Sequence, residues 1–127
     1  MTQGVRLSAL LLATVLLVAG CGGGGGQQGG TATPTGQATT VTVTETEFKF
    51  EPKEMTAKAG AVTFAIVNGG SVEHNFIIEG TDVKLEGIQP GQTKNASATL
   101  AAGTYKVLCT IPGHQEAGMT GTLTVSQ

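Results

Sequence analysis

Within the eleven residues Cys109-Thr110-Ile111-Pro112-Gly113-His114-Gln115-Glu116-Ala117-Gly118-Met119 the chain places a thiol, an imidazole and a thioether on one short loop. Such a loop suits a fold only if that fold turns all three side chains toward one point. Its sequence allows this. Pro112 fixes its own φ and lacks an N–H, which disfavours helix, while Gly113 and Gly118 permit tight turns beside the donors. Upstream, Ser71-Val72-Glu73-His74-Asn75-Phe76 offers a second imidazole in His74.

Two imidazoles, one thiolate and one weak thioether form a donor set suited to copper: the sulfurs serve the reduced ion and the imidazoles serve both oxidation states. Taken singly, each residue has a plainer role: a lone Cys as a small buried apolar group, a lone Met as core filler, a lone His as a partly buried polar side chain. Three of them on one Gly/Pro-marked loop are poorly explained by packing. Structural zinc would want four Cys or His ligands, and the folded part offers only His74, His114 and Cys109. No Cys-x-x-Cys-His run is present for a c-type haem, and a dinuclear copper centre would need a second loop cysteine. One mononuclear copper remains.

The length available to the fold is limited. After residues 1–38 about 89 remain, enough for one domain and too few for a multidomain oxidase. Thr40-Val41-Thr42-Val43-Thr44 and Gly121-Thr122-Leu123-Thr124-Val125 alternate polar with apolar, and Val62-Thr63-Phe64-Ala65-Ile66-Val67 is rich in strand formers. Asn68-Gly69-Gly70, Pro90-Gly91-Gln92 and Ala102-Gly103-Thr104 read as turns, and no long segment has helical periodicity. An all-β sandwich is predicted. If Cys109 points inward, strand parity sends Tyr105 and Val107 into the core and leaves Lys106 and Leu108 facing outward.

The loop and the His74-Asn75 pair resemble the cupredoxins, the blue type 1 copper proteins, in particular the azurin, plastocyanin and auracyanin group. The likeness covers roughly residues 39–127. It implies a Greek-key β-sandwich with one copper at one end, His74, Cys109 and His114 as equatorial ligands and Met119 as the long axial one. It also implies that Asn75 ties the two ligand segments together through the backbone or hydroxyl of Thr110; polar cross-links of this kind hold ligand geometry and tune the sulfur. Plastocyanins carry an aromatic residue at the position of Leu108 and acidic clusters nearby for docking; this chain has neither, so that docking surface is not carried over.

The N-terminus reads as an export signal. Arg6 precedes the apolar stretch Leu7 to Ala19, whose 13 residues fall short of the roughly 20 needed to cross a bilayer. Val18-Ala19-Gly20-Cys21 resembles a bacterial lipobox, which implies cleavage before Cys21 and lipidation of its sulfur. The expected organisation is a lipoprotein signal peptide over 1–20, a lipidated Cys21 with a Gly/Thr-rich tether over 21–38, and a cupredoxin domain over 39–127. With roughly 18 residues of flexible composition the tether would reach about 25 Å on average. The protein is therefore expected outside the cytoplasm, anchored by lipid to the outer face of the cell membrane or on its periplasmic side. Cys109 would then be the one free thiol of an exported protein, and metal ligation would protect it from oxidation. Asn95-Ala96-Ser97 matches a glycosylation sequon, a coincidence in a bacterial lipoprotein.

Charge narrows the partners. Seven basic and nine acidic residues give −2, and about −3 once Arg6 is removed, too little for strong electrostatic steering. No basic patch interleaved with aromatics is present, so nucleic acid is not an expected partner. The sequence predicts a monomeric electron carrier that meets a donor and an acceptor protein transiently, through the apolar surface of Ile111, Pro112 and Ala117 around His114. The rival reading is a copper-binding or delivery protein with no part in electron flow. An enzyme is disfavoured, because a copper closed by four protein ligands leaves no position for substrate.

Overall fold

A computed structural model describes residues 38–127; the readings made for residues 1–37, which include the export signal, Cys21 and all but the last residue of the tether, lie outside them. Nine strands are formed among the described residues: β1 Thr39–Thr46, β2 Lys49–Glu51, β3 Glu54–Lys58, β4 Gly60–Asn68, β5 His74–Ile78, β6 Lys84–Ile88, β7 Thr93–Leu100, β8 Gly103–Leu108 and β9 Thr120–Ser126. No helix occurs among these residues. The three segments singled out by alternation or strand composition fall within β1, β9 and β4.

The strands form two sheets, ordered β2-β1-β4-β7 and β3-β9-β8-β5-β6. β1 runs parallel to β4 and β3 parallel to β9, while the remaining pairs are antiparallel. The chain changes sheet repeatedly: between β2 and β3, β3 and β4, β4 and β5, β6 and β7, and β7 and β8. This produces an all-β sandwich in which the two edges of each sheet come from different parts of the sequence.

Alternation decides what lies between the sheets. In β4, Val62, Phe64 and Ile66 are buried while Thr63, Ala65 and Val67 are half-buried, as period-two side-chain direction requires. Phe76 of β5 sits at the centre, with its ring centroid 5.7 Å from that of Phe50 and 5.9 Å from that of Phe64. Burying each such ring contributes about 2–3 kcal/mol, so this cluster welds the two sheets. The core runs on without a break into Cys109 and Met119, both fully buried. The candidate donors therefore stand on the end of a packed core rather than on a free loop.

Two details differ from the expectation. Gly103 already pairs with Val125 and Thr104 with Thr124 in the β8–β9 ladder, so the turn expected at 102–104 ends two residues sooner. Tyr105, Val107 and Lys106 take the predicted faces, but Leu108 is only 4% exposed although it lies on the outward side. Its cross-strand partner on β5 is Ile77, also buried, and two large aliphatic side chains paired across a ladder shield one another from water.

Candidate metal centre

Three of the four candidate donors stand where a strand begins or ends. His74 opens β5, Cys109 follows the last residue of β8, and Met119 immediately precedes β9. His114 lies on the loop between. Among the described residues, donor atoms of His74, Cys109 and His114 all lie within 4.8 Å of one another. Cys109 Sγ is 3.6 Å from His114 Nδ1, and the two imidazole centroids are 5.2 Å apart at 63°.

The backbone of the loop explains the convergence. The Cys109 amide donates to Met119 O at 3.2 Å, which closes the loop at its base. The Met119 amide donates to His114 O at 3.0 Å, and the Ala117 amide to Gly113 O at 3.1 Å, so residues 113–118 form one compact turn. Gly113 and Gly118 hold φ of 86° and 107°, in a region that side chains with a Cβ rarely enter, which is why glycine occupies both. Met119 is thereby fixed beside Cys109 and His114 through its backbone, with its side chain wholly buried.

Asn75 locks the His74 segment to this loop. Its Nδ2 donates to Thr110 Oγ1 at 2.9 Å, and its Oδ1 accepts from the Gly87 amide at 3.0 Å. Its own amide donates to Cys109 Sγ at 3.3 Å. The side-chain bond to Thr110 is the cross-link expected from the sequence, with the hydroxyl as the partner.

The electrostatics of the site favour a cation. Both ring nitrogens of His74 are buried without a hydrogen-bond partner, an arrangement rare in native proteins unless something absent from the chain itself satisfies them. Burial, then the neighbouring His114, hold the His74 imidazole below its ordinary range, and the Glu47 carboxylate only partly opposes this. Burial likewise pushes the Cys109 thiol up, against the amides of Ile111 and Asn75 that favour its thiolate; the charges of Glu45 and Glu73 push it further up. A neutral imidazole and a thiol that gains a thiolate's stability only beside positive charge are what a soft metal ion requires.

The model of the cupredoxin-like domain family matches residues 9–125. The chain belongs to the cupredoxin-like family. Among solved structures, this cupredoxin resembles dithionite-reduced auracyanin of the photosynthetic bacterium Roseiflexus castenholzii, with a TM-score of 0.64, 25% identity, and cover of 72% of this chain and all of that one. Auracyanin B matches with a TM-score of 0.62 and 27% identity over 71% of this chain and 90% of that one. Auracyanin A of Chloroflexus aurantiacus, described as a blue copper protein, shares the fold at a TM-score of 0.60 and 24% identity, covering 71% of this chain and all of that one. The copper-resistant cuproprotein CopI of Rubrivivax gelatinosus is 31% identical in an alignment of 99 positions that covers 61% of this chain and 59% of that protein.

Three residues near the cupredoxin site were not singled out from the sequence. Glu45 is fully buried in β1 with neither carboxylate oxygen hydrogen-bonded, and burial pushes its carboxyl up to about 7. The β1 parity that sends Val41 and Val43 inward sends Glu45 inward too, so the signal was there. Glu47 and Phe48 form the β1–β2 turn, and Phe48 has φ 62°, a conformation that costs a bulky residue about 1–2 kcal/mol. Backbone strain of that kind is invisible in a sequence. Glu73, next to His74 in the chain, accepts a hydrogen bond from Gln89 Nε2.

Proposed function

We propose that this cupredoxin holds one type 1 copper through His74, Cys109, His114 and Met119 and carries single electrons between redox proteins. The convergence of two imidazoles and one thiol within 4.8 Å, around a buried His74 whose nitrogens have no partner, is the observation that supports it most. Bound there, copper would supply a one-electron couple. The protein's part is to keep the donors still: the Asn75–Thr110 bond joins the two segments, the Cys109–Met119 backbone bond closes the loop, and a rigid donor set lowers the reorganisation needed when charge changes. Likeness to an auracyanin prepared in a dithionite-reduced form favours a redox role. With four protein donors no position is left for a substrate, which favours a carrier over an enzyme.

Holding copper without passing electrons is the second reading, favoured by the similarity to a copper-resistant cuproprotein. One experiment separates the two. Titrating the metal-free protein with Cu(II) is expected to saturate at one equivalent with intense visible absorption, and the loaded protein should then be reduced and reoxidised repeatedly without releasing metal to a chelator. Saturation at another stoichiometry, or no binding, would sink both readings; metal release on each reduction would favour delivery.

Location and partners extend the proposal. A lipid on Cys21 would hold the protein on its membrane, and the tether would let the head reach donor and acceptor. Pro112 and Ala117 are exposed and Ile111 half-buried around His114, a small apolar face suited to brief encounters. Cys21→Ala is expected to move the protein from the membrane to the soluble fraction. Wild-type protein found wholly soluble, or an unmodified mature N-terminus by mass spectrometry, would overturn the anchor.

A further inference from the structure

The β1–β2 turn holds a bulky residue in a left-handed conformation that glycine or asparagine would adopt at less cost. Thr46 pairs with Lys49, so the turn consists of Glu47 and Phe48 alone. Two-residue hairpin turns favour Asn-Gly or Asp-Gly because they need positive φ, yet here a phenylalanine takes φ 62°. Burial does not explain the choice, since Phe48 remains 42% exposed. Outliers of this kind persist when surrounding contacts over-determine them, and they cluster at functional sites.

The contacts of the turn all lead to the two ligand segments. The Phe48 ring meets the His114 imidazole edge-on, with centroids 5.2 Å apart at 84°. On its other side, Glu47 Oε1 accepts from the Ser71 amide at 2.5 Å and from Ser71 Oγ at 2.8 Å, three residues before His74. Gly70 lets the carboxylate in: a Cβ there would stand 2.8 Å from Glu47 Oε1. Gly69 continues the contact, its amide donating to Glu45 O at 2.8 Å. The turn therefore touches the segment that delivers His74 and the ring of His114 at once, from outside the core.

We propose that the β1–β2 turn is a strap across the metal centre, with Glu47 and Phe48 as positioning residues: Glu47 anchors the segment entering His74, and Phe48 braces the His114 ring on its solvent side. Because Asn75 already joins β5 to the base of the loop near Thr110, the strap supplies a second tie at the open end, where His114 is partly exposed. The left-handed backbone at Phe48 is the conformation that aims its side chain over His114 while Glu47 faces Ser71. Release of metal requires His114 or His74 to swing away, so the strap slows release. This inference rests on the copper reading only for its metal-release arm.

The test uses the full chain with Phe48→Gly, Phe48→Tyr, Glu47→Ala and the double substitution. Glycine relieves the strained φ, so Phe48→Gly is expected to keep or raise the denaturation midpoint of the metal-free protein while copper passes to a chelator about threefold to tenfold faster, the worth of one aromatic pair. Phe48→Tyr, which keeps the ring, should restore the wild-type rate. Glu47→Ala should speed release by a similar factor, and the double variant should exceed either alone.

In the metal-free protein, Phe48→Gly should also speed hydrogen exchange at the amides of His114 and Met119 by a comparable factor, without a matching fall in global stability. Wild-type release rates in all variants, or faster release that merely tracks lost stability and is not rescued by tyrosine, would overturn the strap. If the wild type takes up no copper, the functional reading fails, and the exchange measurement alone judges the strap: unchanged protection at His114 and Met119 would reject it.

Discussion

Cys109→Ser is expected to abolish the intense visible absorption of the copper-loaded protein and to weaken copper binding by more than any other single change at the site. The thiolate is the only strong soft donor among the described candidates, and its charge transfer to bound Cu(II) would be the source of the colour. Serine offers a hydroxyl that stays protonated and binds a soft ion poorly. Met119→Leu should behave differently, keeping a coloured centre but raising its reduction potential, because it deletes a weak axial donor that favours Cu(II). Asn75→Ala should keep the colour while lowering copper affinity by about tenfold to a hundredfold, the usual cost of removing a group that orients ligands. Spectra, electrochemistry and competition with a chelator check all three. A coloured Cys109→Ser protein would remove Cys109 from the centre, and an unchanged potential in Met119→Leu would remove Met119.

The second large effect is on stability and comes from Glu45. Burial pushes its carboxyl up to about 7, well above the ordinary carboxylate range, because desolvation penalises the charged form and no hydrogen bond compensates. For an acid whose folded pKa is raised, the contribution to stability is whole below the unfolded pKa and is lost as pH rises through the folded one. Raising the pH of the metal-free protein from about 4.5 to 8 should therefore remove about 3 kcal/mol through this residue.

His74 works in the opposite direction. Its folded pKa is depressed, so its contribution is present above the ordinary imidazole pKa and is lost as pH falls through the lowered value. Comparison with Glu45→Leu cancels that trend, since both proteins keep His74. The stability of Glu45→Leu relative to the wild type should grow by about 3 kcal/mol between pH 4.5 and 8, as expected when an unpaired buried charge is replaced by an apolar side chain. Urea denaturation at several pH values measures it. A pH-independent difference would show that Glu45 stays neutral, or is solvated, throughout this range.

Much of the site could be read in the linear order of residues. Cys109, His114 and Met119 are close in sequence, so a short turn with glycine at positions 113 and 118 suffices to gather them, and turn chemistry is local. Strand alternation in β1, β4 and β9 marked the core face because side chains alternate with a period of two whatever the topology. The short strands β2, β3 and β6 carry too few alternations to announce themselves, and their existence depends on the neighbours they pair with.

What the sequence determined by itself was therefore the set of candidate donors, the loop that gathers three of them and the all-β class, since each follows from residue type and near spacing. Only the tertiary structure decided how His74 reaches that loop, that the Asn75 partner is the Thr110 hydroxyl, that Leu108 is covered by Ile77, and that Glu45 is buried without a partner. It alone brought the Glu47–Phe48 turn against both ligand segments. These facts depend on contacts between residues far apart in the chain. Such contacts are set by how two twisted sheets pack and which strands lie side by side, and no local pattern of side chains encodes that.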